Sequence, residues 1–148
     1  VISEDKIRGY RNFATKIWNI TRFILMNYDL KLEKIKPKFT NADKKHLADL
    51  KKIQNKATKE MDNYKFHEAA LTIYHYIWHT FADKIIEESK PRLKSENLAD
   101  RKAAFEVNMK ILTDCLKLLH PFMPFVTEEI YQNLPIKNKK LLMIEKWR

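Results

Sequence analysis

One stretch near the start of the chain carries side chains suited to holding a nucleic acid on one face of a helix. Six polar residues project in the same direction when successive residues turn by about 100°. We call this set the Arg/Asn face: Arg8, Arg11, Asn12, Thr15, Asn19 and Arg22. Arg and Asn present forked or paired donors to phosphates and base edges, and a ring such as that of the neighbouring Phe23 can stack on an unpaired base. No acidic residue lies between Gly9 and Met26, so the pattern predicts either nucleotide contact or docking against another domain that satisfies the same donors.

The charge of the whole chain also favours a polyanionic partner. Lys and Arg number 29 against 19 Asp and Glu, a formal net charge of +10, and such an excess attracts nucleic acid or anionic lipid. Eleven of the cations are Lys within residues 31–65, where contacts to phosphates would be independent of sequence and sensitive to salt. A Lys-rich surface also serves solubility, so charge alone leaves both interpretations open.

Composition excludes several classes of protein. The chain has one Gly, far below the usual share of about 7%, and phosphate-binding loops, dinucleotide-binding motifs and all-β folds all need more. One Cys excludes a disulfide framework and a cysteine-based zinc site. No apolar run approaches the roughly 20 residues that cross a bilayer, and no signal peptide is present. We therefore expect a cytoplasmic protein without membrane contact, and the initial Val1 suggests a piece of a longer polypeptide.

The remaining reactive side chains do not form a recognisable catalytic or metal site. His75, His79 and Asp83 recur at intervals of four, but the metalloprotease pattern needs a Glu at position 76, where Tyr76 stands. Cys115 falls on an apolar stripe, which favours a core position over a nucleophile. The sequence predicts no catalytic residues, no metal ligands and no cofactor-binding residues in this chain.

Hydrophobic spacing predicts that the elements positioning these residues are helices. The first helix is expected over Glu4–Tyr28 with Ser3 as its N-cap, and the second over about 42–63, where Thr40 and Asp43 form a capping pattern. The core-facing stripe of the first helix is expected to be Ile7, Tyr10, Ala14, Ile17, Thr21 and Ile24. A third, mostly apolar helix over about 66–90 should end at Pro91.

A fourth helix is expected over about 98–119, followed by a short helix over about 125–134. The inward residues of the fourth helix should be Val107, Ile111, Cys115 and Leu118. The sequence thus predicts an all-α bundle of four long helices with a short C-terminal helix and an extended tail. Residues 1–135 would form the helical domain, and residues 136–148 a tail packed on it.

Three ordered motifs give the chain a family resemblance. Residues 11–23, with the sequence RNFATKIWNITRF, resemble the helix that opens the anticodon-binding domain of class I aminoacyl-tRNA synthetases for aliphatic amino acids. Residues 64–93 resemble the central helix of that domain, and residues 119–130, LHPFMPFVTEEI, resemble its third signature. The wording of the third motif and Trp78 look most like the valyl enzymes, with the isoleucyl and leucyl enzymes as the alternative.

The resemblance implies that the partner is the anticodon stem-loop of a tRNA. Carried over position by position, it nominates as tRNA-binding residues Arg11, Asn12, Lys16, Asn19, Arg22 and Phe23. The His-Ile-Gly-His and Lys-Met-Ser-Lys-Ser sequences of the family's catalytic domain are absent here. ATP, Mg²⁺ and the ligase reaction are therefore expected in a missing catalytic domain of the same polypeptide. The rival from another class is a helical protein-docking module that binds no RNA.

Overall fold

Five helices form the part of the chain that the structure describes. The structure is a computed structural model that describes residues 4–147, apart from the side chain of Lys6. Helix α1 is Glu4–Met26, α2 is Asn41–Asp62, α4 is Leu98–Leu119 and α5 is Pro124–Asn133. Helix α3 runs continuously through Phe66–His75, Tyr76–Ile86 and Glu87–Leu93, and single 3-10 turns occur at Leu30–Leu32 and Leu142–Ile144. The predicted all-α bundle is confirmed, whereas the expected N-cap Ser3 lies outside the described residues.

Helix α4 forms the centre of the bundle. More than half of its residues are buried, and the predicted inward set of Val107, Ile111, Cys115 and Leu118 is among them. The other four helices all pack against it. Burial raises the pKa of the Cys115 thiol well above its ordinary value, so the thiol stays protonated and belongs to the core. Among residues 4–147, no helix is both long and apolar enough to cross a membrane.

The predicted core stripe of α1 is correct only in its second half. Ile17, Thr21 and Ile24 are buried, whereas Ile7 is 58% exposed and Tyr10 is 67% exposed. Phe13 and Ile20, which lie outside the predicted stripe, are buried instead. Periodicity shows that a helix has an apolar side, but it does not show how far along the helix a packing partner extends.

One arginine connects three helices at the end of the bundle where α2 begins. Thr40 and Asp43 form the predicted capping box: the Thr40 N–H donates to Asp43 Oδ2 at 2.8 Å, and the Asp43 N–H donates to Thr40 Oγ1 at 3.1 Å. Arg92 at the end of α3 donates to the same carboxylate through both terminal nitrogens, at 2.6 and 2.9 Å. Its Nε donates to Asp100 of α4 at 2.8 Å. Burial opposes ionisation of Asp43, but the bonds from Arg92 and Thr40 outweigh it and lower the pKa of Asp43.

Helix α3 differs from its prediction in two respects. It continues to Leu93, with Pro91 inside its last turn, because the proline there removes only the one N–H bond to the carbonyl of the exposed Glu87. Its middle segment, Tyr76–Ile86, adopts wider π-helical turns, which the sequence analysis did not predict. Such turns are rare and change which side chains share a face of the helix.

The last residues cross the bundle from α5 to α2. The Leu142 N–H donates to Glu128 Oε2 at 2.9 Å, and the Leu142 side chain is buried. The Trp147 indole donates to Thr58 Oγ1 at 2.8 Å. These contacts attach the segment to the bundle, while the division into a domain of residues 1–135 and a tail of residues 136–148 stays a prediction.

The pair of Asp43 and Arg92 gives a stability prediction. The Asp43 carboxylate is 2% exposed, and breaking a buried ion pair costs about 3–5 kcal/mol. We therefore expect Asp43→Asn to lower the free energy of unfolding by about 3 kcal/mol near neutral pH, measured by urea denaturation. The folded-state pKa of Asp43 lies below the ordinary 3.8, so the contribution is complete above that value and is lost as the pH falls through the folded-state pKa.

In acid, the free energy of unfolding of the Asp43→Asn variant should therefore approach that of the unsubstituted protein. Asp49→Asn is the matched control, because Asp49 also pairs with a cation, Lys52, but at the surface, where ion pairs contribute little. Equal losses in the free energy of unfolding from Asp43→Asn and Asp49→Asn at neutral pH would contradict the conclusion that the buried pair of Asp43 and Arg92 stabilises the fold more than a surface pair.

Candidate nucleic-acid interface

The structure places four of the six predicted site residues in solvent on one side of α1. Arg11, Asn12, Asn19 and Arg22 are all exposed. Within residues 4–147, none of their side chains has a protein hydrogen-bond or ion-pair partner. The opposite side of α1 is held in the core by Phe13, Ile17, Ile20 and Ile24. This anchoring fixes the rotation of the helix, so the four unpaired donors face outward together.

The fifth predicted residue, Lys16, is already engaged by α3. Its Nζ lies 2.9 Å from Asp83 Oδ1 and 5.0 Å from the centre of the Trp78 ring. Trp78 and Asp83 are five residues apart, a spacing that an α-helix turns by about 140°. The π-helical turns of Tyr76–Ile86 carry both toward α1, where together they hold the ammonium. Asp83 therefore compensates the charge of Lys16.

The sixth predicted residue, Phe23, is half-buried and packs against the core. The Nζ of Lys90 lies 6.0 Å from the centre of its ring, at the outer limit of a cation–π contact. One part of the ring therefore belongs to the core and another is partly covered by a cation. A base that stacks on Phe23 has to share the ring with Lys90 or displace it.

The remaining members of the Arg/Asn face make contacts within α1. Thr15 Oγ1 donates to the Arg11 carbonyl at 3.0 Å, a local bond common for threonine in helices. Arg8 lies 3.9 Å from Asp5, and both side chains are largely exposed, so this pair contributes little. Neither contact removes a donor of Arg11, Asn12, Asn19 or Arg22 from solvent.

Sequence reasoning missed one exposed aromatic beside the Arg/Asn face. Trp18 is 41% exposed and follows Arg11 by seven residues and precedes Arg22 by four. Residues at those spacings share one stripe of a helix, so the indole lies between the two guanidinium groups. That spacing was visible in the sequence, but Trp18 was assigned there neither to the core-facing stripe nor to the tRNA-binding residues.

The Lys-rich helix α2 lies across α3 from the Arg/Asn face. Helix α3 contacts both neighbours, because Asp83 pairs with Lys16 of α1 and Glu88 Oε2 lies 3.1 Å from His46 Nε2 of α2. Most Lys side chains of α2 are exposed, although Lys52 pairs with Asp49 at 2.8 Å. A nucleic acid that touches both α1 and α2 on this side of the bundle would therefore cross the outer surface of α3.

The histidines of α3 lie on that outer surface. The rings of His75 and His79 stack with their centres 5.6 Å apart, and His79 Nδ1 lies 3.9 Å from Asp83 Oδ2. In the part of the chain that the structure describes, no three His, Cys, Asp or Glu side chains form a group that could hold a metal ion. Asp83 is instead shared between Lys16 and His79.

Comparison with known proteins gives the class to which this helical domain belongs. Residues 43–148 match the family described as the anticodon-binding domain of tRNA ligase. The match covers well over half of the chain, and the chain therefore belongs to that family. The resemblance stated from the three motifs is confirmed.

Valine–tRNA ligases are among the curated proteins that are similar to this chain. Over 94% of the chain, identity is 45% to the enzyme of Thermotoga maritima and 40% to that of Carboxydothermus hydrogenoformans. Over 99% of the chain, identity is 38% to the enzyme of Pelagibacter ubique. The chain spans 16–17% of the length of these relatives. These matches do not favour the isoleucyl, leucyl or protein-docking alternatives.

Proposed function

We propose that this chain is the tRNA-binding part of a longer valine–tRNA ligase and that α1 contacts the anticodon stem-loop. The observation that carries the proposal is the set of outward donors on α1: Arg11, Asn12, Asn19 and Arg22. The Asn amides can each donate to and accept from a base edge, and the Arg forks can bind phosphate in a bidentate manner. Loop nucleotides suit this face because their bases can unstack and expose those edges.

The ligase reaction itself belongs, in this proposal, to the rest of the longer polypeptide. Valine, ATP and Mg²⁺ would bind there, and no residue of this chain is assigned to them. The proposed cellular compartment is the cytoplasm.

If the complete polypeptide is a valine–tRNA ligase, it should charge tRNA with valine far faster than with isoleucine or leucine, measured by aminoacylation with each labelled amino acid. Preferential charging with isoleucine or leucine would contradict the assignment.

The proposed binding of RNA uses two kinds of contact, one made by α2 and the other by α1. The exposed Lys side chains of α2 neutralise phosphates without reading sequence, whereas on α1 the Asn amides contact base edges and the Arg guanidinium groups bind phosphates or base edges with a defined geometry. Two aromatic side chains are available for stacking, Trp18 and Phe23. Trp18 is the more exposed of the two, because Phe23 packs on the core and is approached by Lys90. We therefore add Trp18 to the residues nominated by the family resemblance.

Arg22→Ala and Phe23→Ala test the nominated face. Removing a guanidinium–phosphate contact should weaken binding of the anticodon stem-loop about tenfold and reduce the dependence of log K on log salt by about one. Phe23→Ala should weaken binding with little change in that dependence, because stacking releases few counterions. Fluorescence anisotropy with labelled stem-loop at several salt concentrations measures both. Lys137→Ala, an exposed cation beyond α5, is the control, and wild-type binding by both test variants would exclude this face.

Trp18→Ala tests the added stacking residue. Loss of one base–aromatic stack costs about 1–3 kcal/mol, so we expect stem-loop binding to weaken by about fivefold to a hundredfold. Trp18→Phe should restore most of the affinity, because it keeps a ring at the same place. Urea denaturation controls for a change in folding. An equal loss of affinity in the alanine and phenylalanine variants would show that Trp18 contributes something other than stacking.

A further inference from the structure

An apolar groove of about 720 Å³ lies where the first turns of α1 approach α3 and the connection between α4 and α5. It is lined by Tyr10 and Phe13 of α1, by Tyr74 of α3, and by Phe122 and Phe125 of the segment from the end of α4 into α5. None of the side chains that line the groove is charged. We refer to it below as the apolar groove.

The side chains at the rim of the groove are exposed to an unusual degree. Phe125 is 91% exposed and Tyr10 is 67% exposed, so neither stabilises the bundle by burial. Contiguous apolar surface of this kind marks a site that another molecule covers. A nucleic-acid backbone does not fit, because its phosphates require cations. A small molecule would need convergent polar groups to orient it, and in this groove only the tyrosine hydroxyls could serve. An apolar protein surface is the occupant with the matching chemistry.

We propose that the apolar groove is covered by the part of the longer ligase polypeptide that leads into α1. This inference rests on the proposed function, in which the chain works within a longer ligase. The curated relatives are long enough to supply such a surface, since the chain spans only 16–17% of their length. The groove also adjoins the first turns of α1, where Tyr10 and Phe13 lie. A segment leading into α1 reaches it without a long connection.

The groove and the Arg/Asn face use different sides of the same helix. Tyr10 and Phe13 line the groove, whereas Arg11 and Asn12, between them in sequence, project to solvent on the other side. Docking in the groove would leave the RNA-facing donors uncovered. Docking would also hold α1 directly against the rest of the ligase. The apolar groove would therefore determine the orientation of the Arg/Asn face relative to the tRNA.

Side-chain oxidation of the complete ligase polypeptide by hydroxyl radicals, read by mass spectrometry, tests the proposal. Tyr10 is compared with Tyr64, which is 82% exposed and does not line the groove, and each rate is divided by that of the urea-unfolded protein. We expect the relative oxidation rates of Tyr10 and Phe125 to be several-fold lower than those of side chains that are equally exposed in this structure. Tyr64 should be oxidised at the rate expected for an exposed tyrosine. Similar rates for the two tyrosines would overturn the proposal. So would protection that appears only with tRNA, or protection lost on dilution together with a dimer in sedimentation, since these identify RNA or a second copy as the occupant.

Phe125→Glu in the complete polypeptide provides the second test. The exposed position tolerates a carboxylate within this bundle, but docking would bury that charge without a partner. We expect faster oxidation of Tyr10 and faster proteolytic cleavage ahead of α1, with stem-loop binding retained. Met143→Glu, at a side chain that is 69% exposed outside the groove, is the matched control. If the two variants behave alike, the groove is not the docking site. Wild-type binding of the stem-loop by both Arg22→Ala and Phe23→Ala would instead refute the proposed role of the Arg/Asn face, whatever happens in the groove.

Discussion

The arrangement of the helices depends on the guanidinium of Arg92. It binds both oxygens of Asp43 and also Asp100, so one side chain joins the start of α2, the end of α3 and the start of α4. Arginine suits this position because its planar fork matches a carboxylate and keeps its charge when buried. Asp43 serves two purposes at once, since it also completes the cap of α2 through Thr40. The junction joins the last turn of α3 to both neighbouring helices, and the middle of α3 contacts Lys16 of α1 through Trp78 and Asp83.

Helix α1 presents two different sides. One side is fixed in the core by Ile17 and Ile24, and at the first turns the same stripe continues into the apolar groove, because Tyr10 precedes Ile17 by seven residues. The other side carries the donors that have no partner within residues 4–147. A rotation of α1 would move both sides together. The packing of α1 on α3 and α4 therefore determines the direction of its polar side chains as well as its stability.

Sequence predicted the fold where the signals are local and failed where they depend on a distant partner. The boundaries of α4 were predicted as 98–119 and are Leu98–Leu119, and the capping box at Thr40 was also found. Phe13 was missed because its burial depends on Tyr74, whose ring centre lies 4.7 Å away on another helix. The π-helical turns of Tyr76–Ile86 were not predicted, because the apolar spacing of this segment was interpreted with the 3.6-residue repeat of an α-helix. The three motifs gave the family, while the roles of the nominated site residues stay predictions.

The net charge of the chain does not by itself explain how α1 would recognise RNA. Asp83 compensates Lys16, so Arg11 and Arg22 are, within residues 4–147, the cations of the face that have no acidic partner. Two guanidinium groups with Asn amides and Trp18 between them form a small set of directional contacts. Such a set distinguishes one base from another through hydrogen bonds and shape, whereas the many Lys of α2 provide attraction that salt screens. Selectivity is therefore expected to reside on α1, and most of the salt-dependent affinity on α2.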